Sequence, residues 1–201
     1  MTASLPFGRS AKGWERSARR LRQRQNLKLL DRLDPWAIAQ TVGLCVLDGD
    51  DAHEAINALP FADRGRIQLA SGSWSGGVLP EPSLPDGSLL CILNPNHHVH
   101  RRKVTLMEEV SHVFLQHKPS GLEQVTAGLR SRTFDKEMEQ EAYGVGAAAI
   151  LPWEPLLEMV NDGLAIRDIA SDYIVSEQFV DYRIKRTGLW PIYKERQDRS
   201  A

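Results

Sequence analysis

The sequence predicts an α+β fold: a short mixed sheet packed on one motif helix, in the manner of a small zincin-like domain, followed by a helical C-terminal half. Three observations carry this expectation. The apolar runs with strand character all lie in the first half, at 43–47, 66–70, 77–79 and 88–94. From residue 103 onward, apolar residues recur with helical spacing. Strands and helices do not alternate regularly, and no internal repeat is evident, which argues against a parallel sheet wound with crossover helices.

Element by element, residues 1–13 contain Pro, Gly and Ser and read as a leader. From Trp14 to Leu33 the pattern is helical, with Leu21, Leu27, Leu30 and Leu33 as its apolar stripe and the arginines between them as a solvated face. Asp34 caps a short helix with Pro35 at its first position, and Gly43 ends it. Strand 43–47 follows, then a helix near 51–58. Residues 71–77, rich in Gly and Ser, form a turn. Pro80, Pro82 and Pro85 make a rigid loop, and Asp86 with Gly87 turns the chain into strand 88–94. Helices are expected near 103–117, 134–151, 153–161, 164–171 and 176–187, punctuated by Gly163, Gly188 and prolines 119, 152 and 191.

The composition bounds the function. The 201 residues are 42% hydrophobic and 25% charged, enough for one domain with a sizeable core, with or without a small appendage. A net charge of -1 gives no global pull toward nucleic acid or membrane. The charge is uneven, however: residues 8–32 carry nine Lys or Arg against Glu15 and Asp31 alone. Cys45 and Cys91 lie in strand-like runs and read as free thiols; without a CxxC pair, a cysteine-based zinc site is excluded. No stretch approaches a membrane span, and no apolar signal core is seen at the N-terminus. The expected compartment is the cytoplasm.

The segment 103–117 carries the chemistry. Residues four apart on a helix share a face, so Glu108 and His112 project side by side, and Glu109 sits one step round. This is the spacing of the zinc-peptidase motif HExxH, in which two His bind the metal and the Glu activates water. Here it reads EExxH. A carboxylate ligates zinc at about 2.0–2.2 Å, so Glu108 does not abolish a site on chemical grounds. It adds negative charge at the metal, which makes bound water less acidic and weakens it as a nucleophile at neutral pH. Downstream, Glu141 begins a run of small apolar residues that ends at Leu151 and Pro152. Val145 and Ala149 continue the face of Glu141 inward, whereas Glu139 is expected to point elsewhere.

Together these segments resemble the ImmA/IrrE family of metallopeptidase-like proteins. That family shows a strand ending in Asn, a basic stretch, a Thr-Leu-x-HE-x-x-H helix, and an E-A-x-x-F-A-x-x-L-L-x-P helix. The counterparts are Ile92-Leu93-Asn94, then Arg101-Arg102-Lys103, then Thr105-Leu106 leading into Glu108-Glu109 and His112, and finally Glu141-Ala142 through Leu151-Pro152. Trp74-Ser75-Gly76 is similar to the family's Ser-Gly turn before its edge strand. The resemblance spans roughly residues 35–190. It implies a zinc ion held by His112 and Glu141, with Glu108 in the place of the first His and Glu109 as general base. Arg101, Arg102, Tyr143, Gly76 and Gly77 become substrate contacts, with an extended peptide pairing along strand 76–79. Family members are linked to cleavage or regulation of repressor-type transcription factors, in mobile elements and stress responses. The expected partner is therefore a cytoplasmic regulatory protein, cleaved in the hydrolytic reading. In the alternative, an inactive peptidase fold serves as a protein-binding or DNA-binding regulator.

The remaining histidines read as ordinary. His97, His98 and His100 fall in an exposed loop, and His53 has no evident partner. His117, five residues past His112, is rotated off the ligand face on a continuous helix and is expected to cap or pack at the helix end. Residues 164–187 have helix-turn-helix spacing, with Ser176 starting a helix that offers Gln178, Asp181, Lys185 and Arg186. Packing on the peptidase-type domain is preferred to DNA reading there, because family chains carry a similar segment. The expected division is a basic arm and helix over 1–34, the peptidase-like domain over 35–162, and C-terminal helices over 163–201.

Overall fold

The structure is a computed structural model and describes residues 9–58, 74–82, 84–126 and 129–200. Helices dominate the second half and the sheet lies in the first, so the fold is α+β. The described residues cluster into two compact units. One runs from Asp34 to Tyr143; the other joins the chain before Asp34 to the chain from Gly144 onward.

In the first unit, α2 (Pro35–Thr41) starts at Asp34, whose carboxylate accepts a hydrogen bond from the Trp36 amide at 3.0 Å. Pro35 sits where its missing N–H goes unused. Val42 caps the helix, and Gly43 follows in the left-handed region at φ 79°. A mixed three-stranded sheet comes next, in the order β1 (Leu44–Leu47), β3 (Leu89–Leu93), β2 (Gly76–Pro82). β1 pairs parallel with β3, connected through α3 (Gly49–Asn57), and β2 pairs antiparallel with β3. Pro80 and Pro82 belong to β2 rather than to a loop; their missing amides coincide with a register shift between Val78 and Pro82. The strand expected over 66–70, like residues 71–73 of the expected turn, lies outside the described residues.

The motif helix, α4, runs from Val99 to Phe114, four residues earlier at its start than the spacing predicts and three shorter at its end. His98 caps it, its ring nitrogen accepting from the His100 amide at 3.2 Å, so two of the three loop histidines belong to the helix start. Thr105, Leu106, Met107, Val110, Ser111 and His112 are buried, and α4 packs on β2 and β3. The approach is close at Gly76. A Cβ there would lie 3.0 Å from side-chain carbons of Leu93 and Thr105.

Beyond α4 comes a hairpin that the helical reading of the second half did not anticipate. β4 (Gly121–Thr126) and β5 (Leu129–Thr133) pair antiparallel, and β5 lies alongside β2. Next is α5 (Lys136–Ile150), with the boundary between the two units falling inside it, after Tyr143.

The second unit contains α1 (Arg9–Gln23), the end of α5, α6 (Trp153–Asn161), α7 (Ile166–Tyr173), α8 (Glu177–Arg186) and α9 (Trp190–Ser200). The helix expected from Trp14 to Leu33 thus begins earlier and ends after Gln23. Leu21 and Leu33 are buried as expected, but Leu30 is 61% exposed. Nor is Arg22 a solvated residue. It is 2% exposed, and its guanidinium donates to the carbonyls of Ala149 at 2.8 Å, Lys28 at 2.6 Å and Asp31 at 2.7 Å, which hold the irregular segment after α1. A second buried cation, Arg183, donates to Leu151 O and, at 2.5 Å, to Glu15, which also accepts from the Trp153 amide. Between α7 and α8, Ile174 adopts φ 52°, an unusual conformation for a β-branched residue. The Ser176 hydroxyl then caps α8 through the Phe179 amide. No helix among the described residues is long and apolar enough to cross a membrane.

Candidate functional site

The end of α4, the segment after it and the start of α5 bring four polar side chains into one row. His112 is almost fully buried at 4% side-chain exposure. Its ring lies flat against Phe134, with centroids 3.7 Å apart and planes 17° from parallel. One imidazole edge faces the start of α5, where His112 Nε2 is 3.5 Å from Glu139 Oε2. The other edge faces His117, with the two Nδ1 atoms 3.0 Å apart. His117 Nε2 in turn lies 3.3 Å from Glu141 Oε2. The row therefore reads Glu139, His112, His117, Glu141.

Two of these residues were expected elsewhere, and the backbone explains both. On an unbroken helix His117 would sit about 140° round from His112. The helix ends at Phe114, however, and Gln116 takes the left-handed conformation at φ 57°. The chain doubles back, the His117 amide donates to His112 O at 3.0 Å, and the second imidazole is delivered beside the first. A non-Gly residue at positive φ leaves no strong mark in sequence, which is why the helical reading missed His117. Glu139 lies in the first turn of α5, after Asp135 caps the amides of Glu137 and Met138. That position directs Glu139 to His112 and leaves Glu141, expected as a metal ligand, beside His117.

Electrostatics single out Glu108. Burial, with the Glu139 carboxylate as a second cause, pushes its carboxyl up to about 7. Burial and then His112 lower His117, against the opposing pull of Glu141. Glu109 is half-buried on α4. Its charge adds to burial in raising the Cys91 thiol well above its ordinary value. Both cysteines are free, Cys91 buried and Cys45 half-buried.

The expected zinc ligands do not converge. Among the described residues, no three His, Cys, Asp or Glu side chains are grouped to hold a metal ion. A zinc centre of the hydrolytic kind takes three protein ligands around one point. Here Glu141 is turned to His117, and both edges of the His112 ring already face a neighbour. Glu108, in the first-ligand place, has its proton affinity raised to about 7 by burial and by the Glu139 carboxylate, so a zinc ion there would have to displace a proton, and Glu139 and Glu141 offer it no point that they share. The residues as arranged therefore do not fit the zinc that the resemblance implies.

The expected substrate contacts are placed as follows. Arg101 donates to Ser75 Oγ at 2.8 Å, anchoring the turn before β2. Arg102 is ion-paired with Asp48, at the N-cap of α3. Gly76 and Gly77 pair with Leu93 and Ile92 on β3, and Tyr143 is half-buried on α5. Since β5 runs alongside β2, strand addition at 76–79 meets the hairpin. A cavity of about 410 Å³ opens elsewhere in the same unit, lined by Trp36 and Gln40 of α2, Cys45 and Val46 of β1, and Leu84 and Asp86.

In the helix-turn-helix-like segment of the other unit, the two cations that would face a groove are engaged. Lys185 binds Asp181 at 2.7 Å and lies over the Trp190 ring, while Arg186 lies over the Trp14 ring at 4.5 Å.

A peptidase M78 family model, described as the IrrE N-terminal-like domain, matches residues 83–185, just over half of the chain. No curated protein and no solved structure matches it.

Proposed function

Since the chain belongs to the metallopeptidase-like family of the IrrE N-terminal-like domain, we propose that it engages a regulatory polypeptide and that, in this member, engagement is not followed by zinc-dependent hydrolysis. One observation carries the reading. The position that should offer a metal its first imidazole offers instead the half-buried carboxyl of Glu108, raised to about 7 by desolvation and the Glu139 carboxylate. The rearranged partners support it: His112 faces Glu139 and His117, and Glu141 serves His117 rather than a point shared with Glu108. A peptidase fold that keeps its framework and loses its metal retains a surface shaped for polypeptide, and the cavity beside Trp36 has room for a bulky side chain of that partner. Two free cysteines fit a reducing, cytoplasmic setting.

The competing reading is a zinc endopeptidase with Glu109 as general base and Glu108, His112 and Glu141 as ligands. The acid-rich surroundings of His112 favour it, because carboxylates attract a cation.

Zinc titration of the chelator-treated protein at pH 7.5, followed by calorimetry and elemental analysis, separates the two. We expect uptake near zero in the native protein and a sharp rise to one zinc per chain in Glu108→His. Stoichiometric zinc in the native protein with only a modest change in Glu108→His would remove the proposal. In that event, Glu109→Gln should keep the metal and lose cleavage of any polypeptide substrate.

A further inference from the structure

Six of the nine cations of residues 8–32 fall into two groups in the structure. Several are neutralised internally. Arg19 pairs with Glu154, Arg22 is absorbed by carbonyls, and Arg32 pairs with Asp172. The two acids of the segment are also consumed, Glu15 by Arg183 and Asp31 by the Lys28 amide. Left over on α1 are Lys12, Arg16 and Arg20. Arg16 and Arg20 are exposed, Lys12 is half-buried, and none of the three has an acidic partner among the described residues.

These three sit at i, i+4 and i+8, on one stripe of the helix, about 6 Å apart along its axis. Like charges at that spacing destabilise a helix. On α8 and α9, Asp181–Lys185 and Glu195–Arg199 set an acid four residues before a base. Among the described residues, the α1 stripe has no such acid beside it and no acid in its first turn. Its charge is therefore open to an external anion.

We propose that the Lys12–Arg16–Arg20 stripe of α1 binds the phosphate backbone of duplex DNA without reading its sequence. A row of cations about 12 Å long meets several phosphates of a duplex, which carries one negative charge per about 1.7 Å of axis. A membrane surface fits less well. An interfacial helix needs an apolar face to insert, and the apolar face of α1, with Trp14, Ala18 and Leu21, is already buried in the protein. Single strands need exposed aromatic rings for stacking, and Trp14, the aromatic residue of α1, is buried with Arg186 over its ring. The proposal does not depend on the site at His112.

The test is fluorescence anisotropy of the full chain with a labelled 20-base-pair duplex of arbitrary sequence, in 50–200 mM salt. Three phosphate contacts predict a log–log salt slope of about -2.7, hence about 40-fold weaker binding over that range. The variant Lys12→Gln/Arg16→Gln/Arg20→Gln should bind at least about 10-fold more weakly at 50 mM, with a flattened slope. Glutamine is a good helix former, so its circular dichroism should match the native protein. Lys185→Gln/Arg186→Gln should bind as the native protein does. Native-like binding by the triple variant, loss of binding in the Lys185/Arg186 variant alone, or binding to phosphatidylserine vesicles but not to the duplex would each overturn the proposal.

Discussion

Replacing Glu108 with glutamine should make the protein more stable at alkaline pH and leave its stability unchanged at acid pH. Glutamine keeps the shape of the side chain and mimics its neutral form. In the folded protein, burial and the nearby Glu139 carboxylate raise the Glu108 carboxyl from 4.5 to about 7. Below pH 4.5 the group is neutral in folded and unfolded chains alike, so native protein and Glu108→Gln should be equally stable. As pH rises from 4.5 through about 7, the unfolded chain gives up its proton first, and the native protein loses stability across that window. Each pH unit is about 1.4 kcal/mol, so the loss reaches about 3 kcal/mol above pH 7. The variant escapes it. For a chain of this length, each kcal/mol moves the midpoint by about 2–4 °C, giving Glu108→Gln a gain of about 6–12 °C at pH 8 and none at pH 4. Calorimetry of chelator-treated protein at half-unit steps of pH measures the difference directly. A difference that does not change between pH 4.5 and 8 would refute the account of Glu108 as a half-buried, proton-holding carboxyl.

Three further outcomes are expected in the other unit and at a helix start. Glu15→Gln leaves the buried Arg183 guanidinium without its counter-charge and should destabilise by about 3–5 kcal/mol in urea titration. Gly144→Ala places a Cβ 2.4 Å from ring atoms of Trp14; this overpacking should lower stability by about 1–3 kcal/mol, despite the better helix propensity of alanine, and thermal melting reads it. Asp34→Ala removes the cap of α2 and should lower stability by about 1 kcal/mol by the same measurement.

The parts of the fold that local chemistry specifies were legible. Asp34 followed by Pro35 marks a helix start that the hydrogen bond to Trp36 realises. The apolar run at 88–94 becomes β3, and 153–161 is a helix with those same bounds. Both cysteines are free, on adjacent strands, as their place in strand-like runs suggests. Less legible were the features that depend on distant neighbours. An arginine at position 22 looks like any surface cation until the carbonyl of Ala149, far along the chain, is placed beside it. The hairpin at 121–133 leaves a weak mark in sequence, with Val125 and Thr126 on one side of Ala127-Gly128 and only Thr133 β-branched on the other. Trp190-Pro191 likewise marks the start of α9, as Asp34-Pro35 does for α2. At the candidate site, spacing puts Glu108 and His112 one turn apart on α4. Which acid of α5 meets His112 is not legible, because it depends on the orientation of α5, which turns Glu139 to His112 and Glu141 to His117.

The row from Glu139 to Glu141 has a consequence in its hydrogen inventory. Four groups meet through three contacts, and two neutral imidazoles own only two ring hydrogens between them. With His117 turning its Nε2–H to Glu141, the 3.0 Å contact closes only if His112 donates its Nδ1–H to the bare Nδ1 of His117. The end of α4 and the start of α5 are thus tied through one particular pair of ring tautomers, and a ring that changes tautomer unties them.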